Sequence, residues 1–226
     1  MLYRPQVANI DQVMIFVSIV KPNISLNLLD KYLVMSEKFN VKPIIIINKT
    51  DLVDKETLDY YIDLYTSVGY EVIENSNLDT PNEKIKSLLK DKITSVVGPS
   101  GVGKSTTLNN ISPNLNLETG EISSKTKRGK HTTRHIEIKE IFKNSYVFDT
   151  PGFSSLEIDF IKDREDIKDY FIEFREYSKN CKFHNCMHIK EPGCGVKDAV
   201  EKGYIKETRY KNYLNFIEEF DKIRRY

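Results

Sequence analysis

Residues 98–105 read Gly98-Pro99-Ser100-Gly101-Val102-Gly103-Lys104-Ser105, a complete G-x-x-x-x-G-K-[ST] pattern, with Thr106 directly after it. The chemistry of such a stretch is polyphosphate binding. Gly98 and Gly103 let the backbone curl so that successive N–H groups face the phosphates. Lys104 supplies a point charge to the β- and γ-phosphates and stabilises charge on a transferring phosphoryl group. The hydroxyl of Ser105 suits Mg²⁺, and the N-terminus of the helix that follows adds its dipole. A second stretch, Asn48-Lys49-Thr50-Asp51, is an N-K-x-D pattern. A carboxylate at Asp51 can accept from guanine N1–H and from the exocyclic amine. Adenine presents an acceptor at N1 and lacks that amine, so it would leave Asp51 unpaired. The stem of Lys49 can lie against a base, and Asn48 can tie this loop to the phosphate loop.

A third stretch, Asp149-Thr150-Pro151-Gly152, matches D-x-x-G about 45 residues after Lys104. Asp149 would hold Mg²⁺ through water, and the Gly152 N–H would sense a γ-phosphate. Between them Ser123–Lys143 carries seven Lys/Arg against Glu137 and Glu140, net +5. Within it Gly129-Lys130-His131-Thr132-Thr133 is the expected first switch, with Thr132 or Thr133 on Mg²⁺ and the γ-phosphate. Loss of the γ-phosphate would release both loops. The residue after D-x-x-G, where a water-orienting Gln is common, is Phe153. His131 is therefore the candidate catalytic residue, able to orient or partly deprotonate water. The basic stretch suits contact with RNA phosphates.

The tail holds Cys181-x₄-Cys186-x-His188-x₅-Cys194, and these are all three cysteines of the chain. Three thiolates and one imidazole make a tetrahedral set that suits a closed structural Zn²⁺ site. His188 completes the set, with His184 as the rival fourth ligand.

These residues need elements to position them. The sequence predicts strands at Val13–Val20, Val41–Asn48, Tyr70–Glu74, Ile93–Gly98, Ile136–Phe142 and Tyr146–Asp149. It predicts helices at Leu26–Phe39, with Ser25 as N-cap, and at Lys55–Val68, Asn82–Lys90 and Lys104–Ile111. Such alternation implies an α/β fold with a mostly parallel sheet and helices on both faces. The Glu74-Asn75-Ser76 stretch falls where a further base-contacting loop would lie. After about residue 157 the pattern turns helical, at Asp163–Phe174, Val196–Lys202 and Lys206–Tyr226. The last has a stripe of Tyr210, Tyr213, Leu214, Ile217 and Phe220. The domains are thus 1–157 and 158–226.

Composition bounds the setting. The chain has 226 residues, 39% hydrophobic and 30% charged, an ordinary globular balance. Lys plus Arg is 34 against 33 Asp plus Glu, which excludes a uniformly basic nucleic-acid binder but not a local patch. Three cysteines are too few for a disulfide scaffold, and no apolar run approaches a membrane span or a signal sequence. The expectation is a cytoplasmic, monomeric protein that avoids membranes.

The order of these features resembles one family. NKTD precedes GPSGVGKST by fifty positions (48 to 98), the reverse of the usual GTPase order. Then follow GKHTTR, DTPGF and C-x₄-C-x-H-x₅-C with EPGC and VKDAVE around it. The sequence is similar to the circularly permuted small-subunit GTPases of the RsgA/YjeQ type. The resemblance implies a circularly permuted Ras-like core with a C-terminal α-helical zinc domain. It implies GTP hydrolysis in late maturation of the small ribosomal subunit, with nucleotide-dependent binding to the subunit and its rRNA. It maps the catalytic histidine onto His131 and the zinc ligands onto Cys181, Cys186, His188 and Cys194. Family members carry an N-terminal OB-fold barrel ahead of an RPxxANxDQ segment, whereas this sequence starts almost at that segment, Arg4 to Gln12. Two other readings stay open: a permuted GTPase of large-subunit assembly, and a nucleotide-dependent rRNA-binding adaptor with negligible hydrolysis. The chain passes from D-x-x-G straight into the tail, so nucleotide state is expected to reorient the zinc domain through Pro151–Glu157.

Overall fold

The computed structural model describes residues 9–76, 78, 80–117, 138–149 and 161–223. Expectations for His131, Thr132, Thr133, Gly152, Phe153, most of the basic stretch and the 157/158 boundary lie outside these residues. So does the proposed lever over Pro151–Glu157, and of Asp149 only the backbone is described.

Six strands form one sheet: β1 (Gln12–Ser18), β2 (Lys42–Asn48), β3 (Glu71–Asn75), β4 (Ile93–Val97), β5 (Ile138–Phe142) and β6 (Ser145–Asp149). Their order is β3-β2-β1-β4-β6-β5, all neighbours parallel except the β5–β6 hairpin at one edge. The chain lays β2 and β3 on one side of β1, then crosses back to place β4 on the other side. Loops after β2 and β4 therefore flank β1 at the same sheet edge, the place where open α/β sheets bind ligands.

The apolar runs are explained by burial on both faces. All seven residues of β1 are buried. Val13, Ile15 and Val17 face one cluster with Ile45, Ile47 and the helices α1 (Leu26–Phe39) and α2 (Lys55–Thr66). Met14, Phe16, Ile44 and Ile46 face the other, with α3 (Glu83–Leu89) and α4 (Lys104–Ile111). Side chains alternate across a strand, so each residue class serves one helical layer. Helix starts are capped as their residue types suggest. The Ser25 hydroxyl accepts from the Leu28 N–H at 3.3 Å, and the Asp54 carboxylate accepts from the Thr57 N–H at 2.8 Å.

The tail differs from expectation in one element. The helix predicted at Asp163–Phe174 is instead a 3₁₀ turn over Arg164–Tyr170, a break at Phe171, and a short α5 (Phe174–Tyr177). Asp163 makes no side-chain cap, and the break brings both Phe171 and Phe174 inward. Their rings lie 5.4 Å apart and meet Tyr213 edge-on at 5.4 and 5.0 Å. The helices α6 (Gly195–Glu201) and α7 (Glu207–Ile223) complete the unit. The buried face of α7 includes Tyr213, Ile217 and Phe220 as expected, but also Arg209, Asn212 and Phe216, while Tyr210 and Leu214 are half-buried. Val34 of α1 belongs to the tail's own apolar cluster, so the tail packs directly on the sheet domain.

Candidate functional site

Strand β4 ends at Val97, and the phosphate loop turns at once through Gly98 at φ +139°. A Cβ there would stand 2.2 Å from the carbonyl oxygen of Phe16 in β1, so only glycine fits. Gly101 (φ +76°) and Gly103 (φ +99°) continue the curl, and Gly103 opens α4. Lys104 is buried at the first position of α4, with Nζ donating to the carbonyls of Gly98 (2.7 Å) and Pro99 (2.9 Å). Ser105 beside it is buried too. An ammonium, a helix N-terminus and a curled backbone thus converge at one edge of the sheet, a set that suits phosphate groups.

Register places the second loop beside the first. Ser18 of β1 is level with Asn48 of β2, and Asn48 with Asn75 of β3. The Asn48 Nδ2 donates to the carbonyl of Val102 in the phosphate loop at 2.8 Å. The Asn48 Oδ1 accepts from Asn75 Nδ2, also at 2.8 Å. Lys49 adopts a left-handed conformation, φ +60°, and its Nζ donates to Gly101 O (2.7 Å) and to Lys21 O. Its stem therefore runs from the N-K-x-D loop to the phosphate loop, where it can flank a base. Asp51 is exposed, and its Oδ1 accepts from the Ser76 hydroxyl at 2.9 Å. The structure brings together Asn48, Lys49, Asp51 and residues 98–106. It also brings in Thr107, which no motif signalled, and from the Glu74–Ser76 stretch it sets Asn75 against Asn48 and Ser76 against Asp51. The backbone of Asp149 pairs with Val96, which sets the start of D-x-x-G beside the end of β4.

The second cluster lies in the tail. The ligand-type atoms of Cys181, Cys186, His188 and Cys194 all lie within 4.8 Å of one another. His188 Nδ1 is 3.4 Å from Cys194 Sγ and 3.6 Å from Cys181 Sγ, and those two sulfurs are 4.0 Å apart. A tetrahedral Zn²⁺ with Zn–S bonds of about 2.3 Å sets its ligand atoms roughly 3.5–3.8 Å apart, so the set fits that ion. His184, the rival, is exposed outside the cluster. His188 Nε2 stands 3.2 Å from Ser178 Oγ, a contact that leaves Nδ1 for a metal. The His188 backbone is left-handed (φ +57°), and its carbonyl accepts from the Tyr210 hydroxyl at 2.6 Å. Cys194 caps α6, its Sγ accepting from the Lys197 N–H at 3.4 Å. Burial pushes the Cys186 thiol up to about 12. Burial first, and then the Lys168 ammonium, pushes His188 down to about 4. The pocket thus disfavours bare charge, and a bound cation is what would draw the thiol protons off. Burial alone would raise the Glu191 carboxyl, yet amides of Met187, Ile189 and Lys190 donate to it and bring it down to about 2.

Comparison with known proteins follows the same lines. A family model described as RsgA GTPase matches residues 1–159. A protein of Alkaliphilus metalliredigens (strain QYMF), called "Small ribosomal subunit biogenesis GTPase RsgA", is 48% identical over 226 residues, 100% of this chain and 77% of the relative. One of the same name from Geobacillus sp. (strain WCH70) is 48% identical over 222 residues, 96% of this chain and 75% of its own. The crystal structure of YjeQ from Thermotoga maritima superposes with a TM-score of 0.81 at 39% identity, over 96% of this chain and 74% of that one. The structure of YloQ, titled a circularly permuted GTPase, gives 0.77 at 38%, over 95% and 69%. Among the described residues no helix is long and apolar enough to cross a membrane.

Proposed function

The chain belongs to the RsgA GTPase family and is a GTPase of small ribosomal subunit biogenesis; on that premise we propose that it binds GTP across the loops after β2 and β4 and hydrolyses it in late maturation of the subunit. Asp51 accepts from guanine N1–H and the exocyclic amine, Lys49 lies along the base, and Asn48 ties the two loops. Lys104 and the backbone N–H groups of the loop, Pro99 having none, stabilise charge on the transferring phosphoryl group. Mg²⁺ bound with the nucleotide would neutralise phosphate charge, with Ser105 and Thr132 or Thr133 as protein ligands and Asp149 behind a water. The Gly152 N–H senses the γ-phosphate. Catalysis is positioning plus electrostatics, with water as nucleophile. His131 orients that water or takes its proton, a task Phe153 cannot perform.

Residues 1–157 form the nucleotide-binding core and 158–226 the helical unit. In that unit Cys181, Cys186, His188 and Cys194 hold a structural Zn²⁺, a staple that a small unit needs. The net +5 of Ser123–Lys143 attracts rRNA phosphates, and the subunit is the partner, bound in a nucleotide-dependent way by a cytoplasmic monomer.

The observation that supports this best is the Asn48–Val102 hydrogen bond, which joins a guanine-reading loop to a phosphate loop 54 residues later in the chain. Single-turnover GTP hydrolysis, with and without small subunits, tests it in the wild type and His131→Ala. Small subunits should accelerate the wild type, and the acceleration should vanish in the variant. Equal slow rates in all four reactions would favour the adaptor instead, a reading that Phe153 keeps open.

A further inference from the structure

The end of β3, in the stretch expected to supply a further base-contacting loop, carries a polar residue buried at the junction of the base-reading loop and the phosphate-loop helix. Asn75 is 3% exposed. Its Nδ2 donates to Asn48 Oδ1 at 2.8 Å and to Thr107 Oγ1 at 3.2 Å. Thr107 Oγ1 in turn donates to the carbonyl of Gly103 at 3.0 Å. The carbonyl of Asn75 accepts from Thr50 Oγ1 at 3.2 Å, and its neighbour Ser76 holds Asp51. We infer that Asn75 is a positioning residue for guanine-nucleotide binding, fixing the amide orientation of Asn48 and clamping the base-reading loop to the phosphate loop.

The argument is one of donors and acceptors. An asparagine amide can flip, exchanging its donor and acceptor at little cost in shape. Asn48 performs its tie only with Nδ2 toward the Val102 carbonyl, because Oδ1 in that place would set two acceptors face to face. The Asn75 N–H against Asn48 Oδ1 selects the working orientation. The second N–H of the same nitrogen reaches Gly103 through Thr107. One amide group therefore anchors Val102 and Gly103, the two residues directly before Lys104. The base half and the phosphate half of the pocket are held in mutual register by one side chain that bonds Asn48 on one side and Thr107 on the other. Strand register made this possible, since Asn48 and Asn75 end adjacent strands side by side.

The inference rests on the guanine-nucleotide reading, and the test separates the two. Asn75→Asp keeps the shape and removes both donors. Asn75→Thr keeps one short donor. Thr107→Val keeps the volume and removes only the Gly103 arm. Dissociation constants for fluorescent GDP and a GTP analogue are measured at a temperature where each variant is folded. Asn75→Asp should weaken both nucleotides by about 10- to 100-fold, the effect of a buried donor–acceptor pair turned against itself. In subunit-stimulated hydrolysis KM should rise more than kcat falls. Asn75→Thr should recover part of the affinity, and Thr107→Val should lose several-fold. Wild-type affinity in Asn75→Asp, or equal losses in the Asp and Thr variants, would overturn the positioning role. If Asn75→Asp does not fold, Thr107→Val decides, and unchanged affinity there overturns the clamp. Wild-type protein that binds ADP as well as GDP would instead overturn the guanine reading itself.

Discussion

Asp51 shows how much one side chain can carry. Its Oδ1 is steadied by Ser76 at 2.9 Å while the residue stays exposed at the loop, so in the proposed base-reading role its carboxylate would need little further ordering. Replacing it with an amide changes which base it prefers. In Asp51→Asn the side chain offers one donor and one acceptor, which suits the C2 carbonyl and N1–H of xanthine better than the two donors of guanine. GTP affinity should fall by about 10- to 100-fold, with XTP gaining over GTP, as read by competition against fluorescent GDP. Retained GTP preference would remove Asp51 from the base site. The place of this loop was legible in the sequence, because the N-K-x-D pattern follows a strand end directly and the structure sets it against the phosphate loop. The bonds by which Asn75 joins the two loops were not, because its partners Asn48 and Thr107 lie 27 and 32 residues away and meet it only through register.

At the scale of elements, the sheet was legible and the tail only partly so. Runs such as Ile44–Ile47 announce a strand buried on both faces, and the two helical layers account for each alternate residue. The stretch after residue 163 misled because its helical spacing is real over short range, while the aromatic cluster of Phe171, Phe174, Tyr213 and Phe216 decides where the chain must break. The Cys/His loop has little regular structure of its own, being held by caps, the Glu191 carboxylate and the Tyr210 and Tyr213 hydroxyls. A metal is the expected remaining fastener. Metal analysis should find one zinc per chain, and Cys186→Ser or strong chelation should abolish it. Hydrogen exchange should then rise across 181–205 and α7 while β1, β2 and β4 stay protected. Full protection of the loop in metal-free protein would refute the staple.

For the whole molecule, the joint between the sheet domain and the tail is ionic and dry. Arg209 of α7, 1% exposed, pairs with Asp30 of α1 at 2.6 Å and with both oxygens of Glu173 at 2.7 and 3.0 Å. Asn212 and Tyr65 also donate to Asp30, and the guanidinium lies 4.8 Å from the Phe171 ring centroid. Burial pushes the Asp30 carboxyl up, and Arg209, Asn212 and Tyr65 pull it back. Burial opposes the Arg209 charge, but Asp30 and Glu173 more than restore it. Removing the shared cation would strand two buried carboxylates. Arg209→Met should therefore cost about 3–5 kcal/mol in denaturant unfolding. A loss below about 1 kcal/mol, the size seen for exposed pairs, would mean that the joint is not sealed. The triad also constrains any nucleotide-driven reorientation of the tail. Such a motion must either break a buried ion network or carry α1 along, and α1 follows the loop whose Lys21 carbonyl receives Lys49.

The sequence by itself determined the chemistry: phosphate and guanine loops in permuted order, a Cys₃His set, and the strands that end at those loops. Chemistry of that kind requires particular residue types at short, fixed spacings, and short spacings are written along the chain. The tertiary structure alone decided that Asn75 joins the two loops and that a buried Arg209 joins the tail to α1, and it brought to the three sulfurs the histidine that the resemblance had favoured, His188. Those facts depend on contacts between residues far apart in sequence, where register, burial and the cost of an unpaired polar group make the choice rather than local pattern.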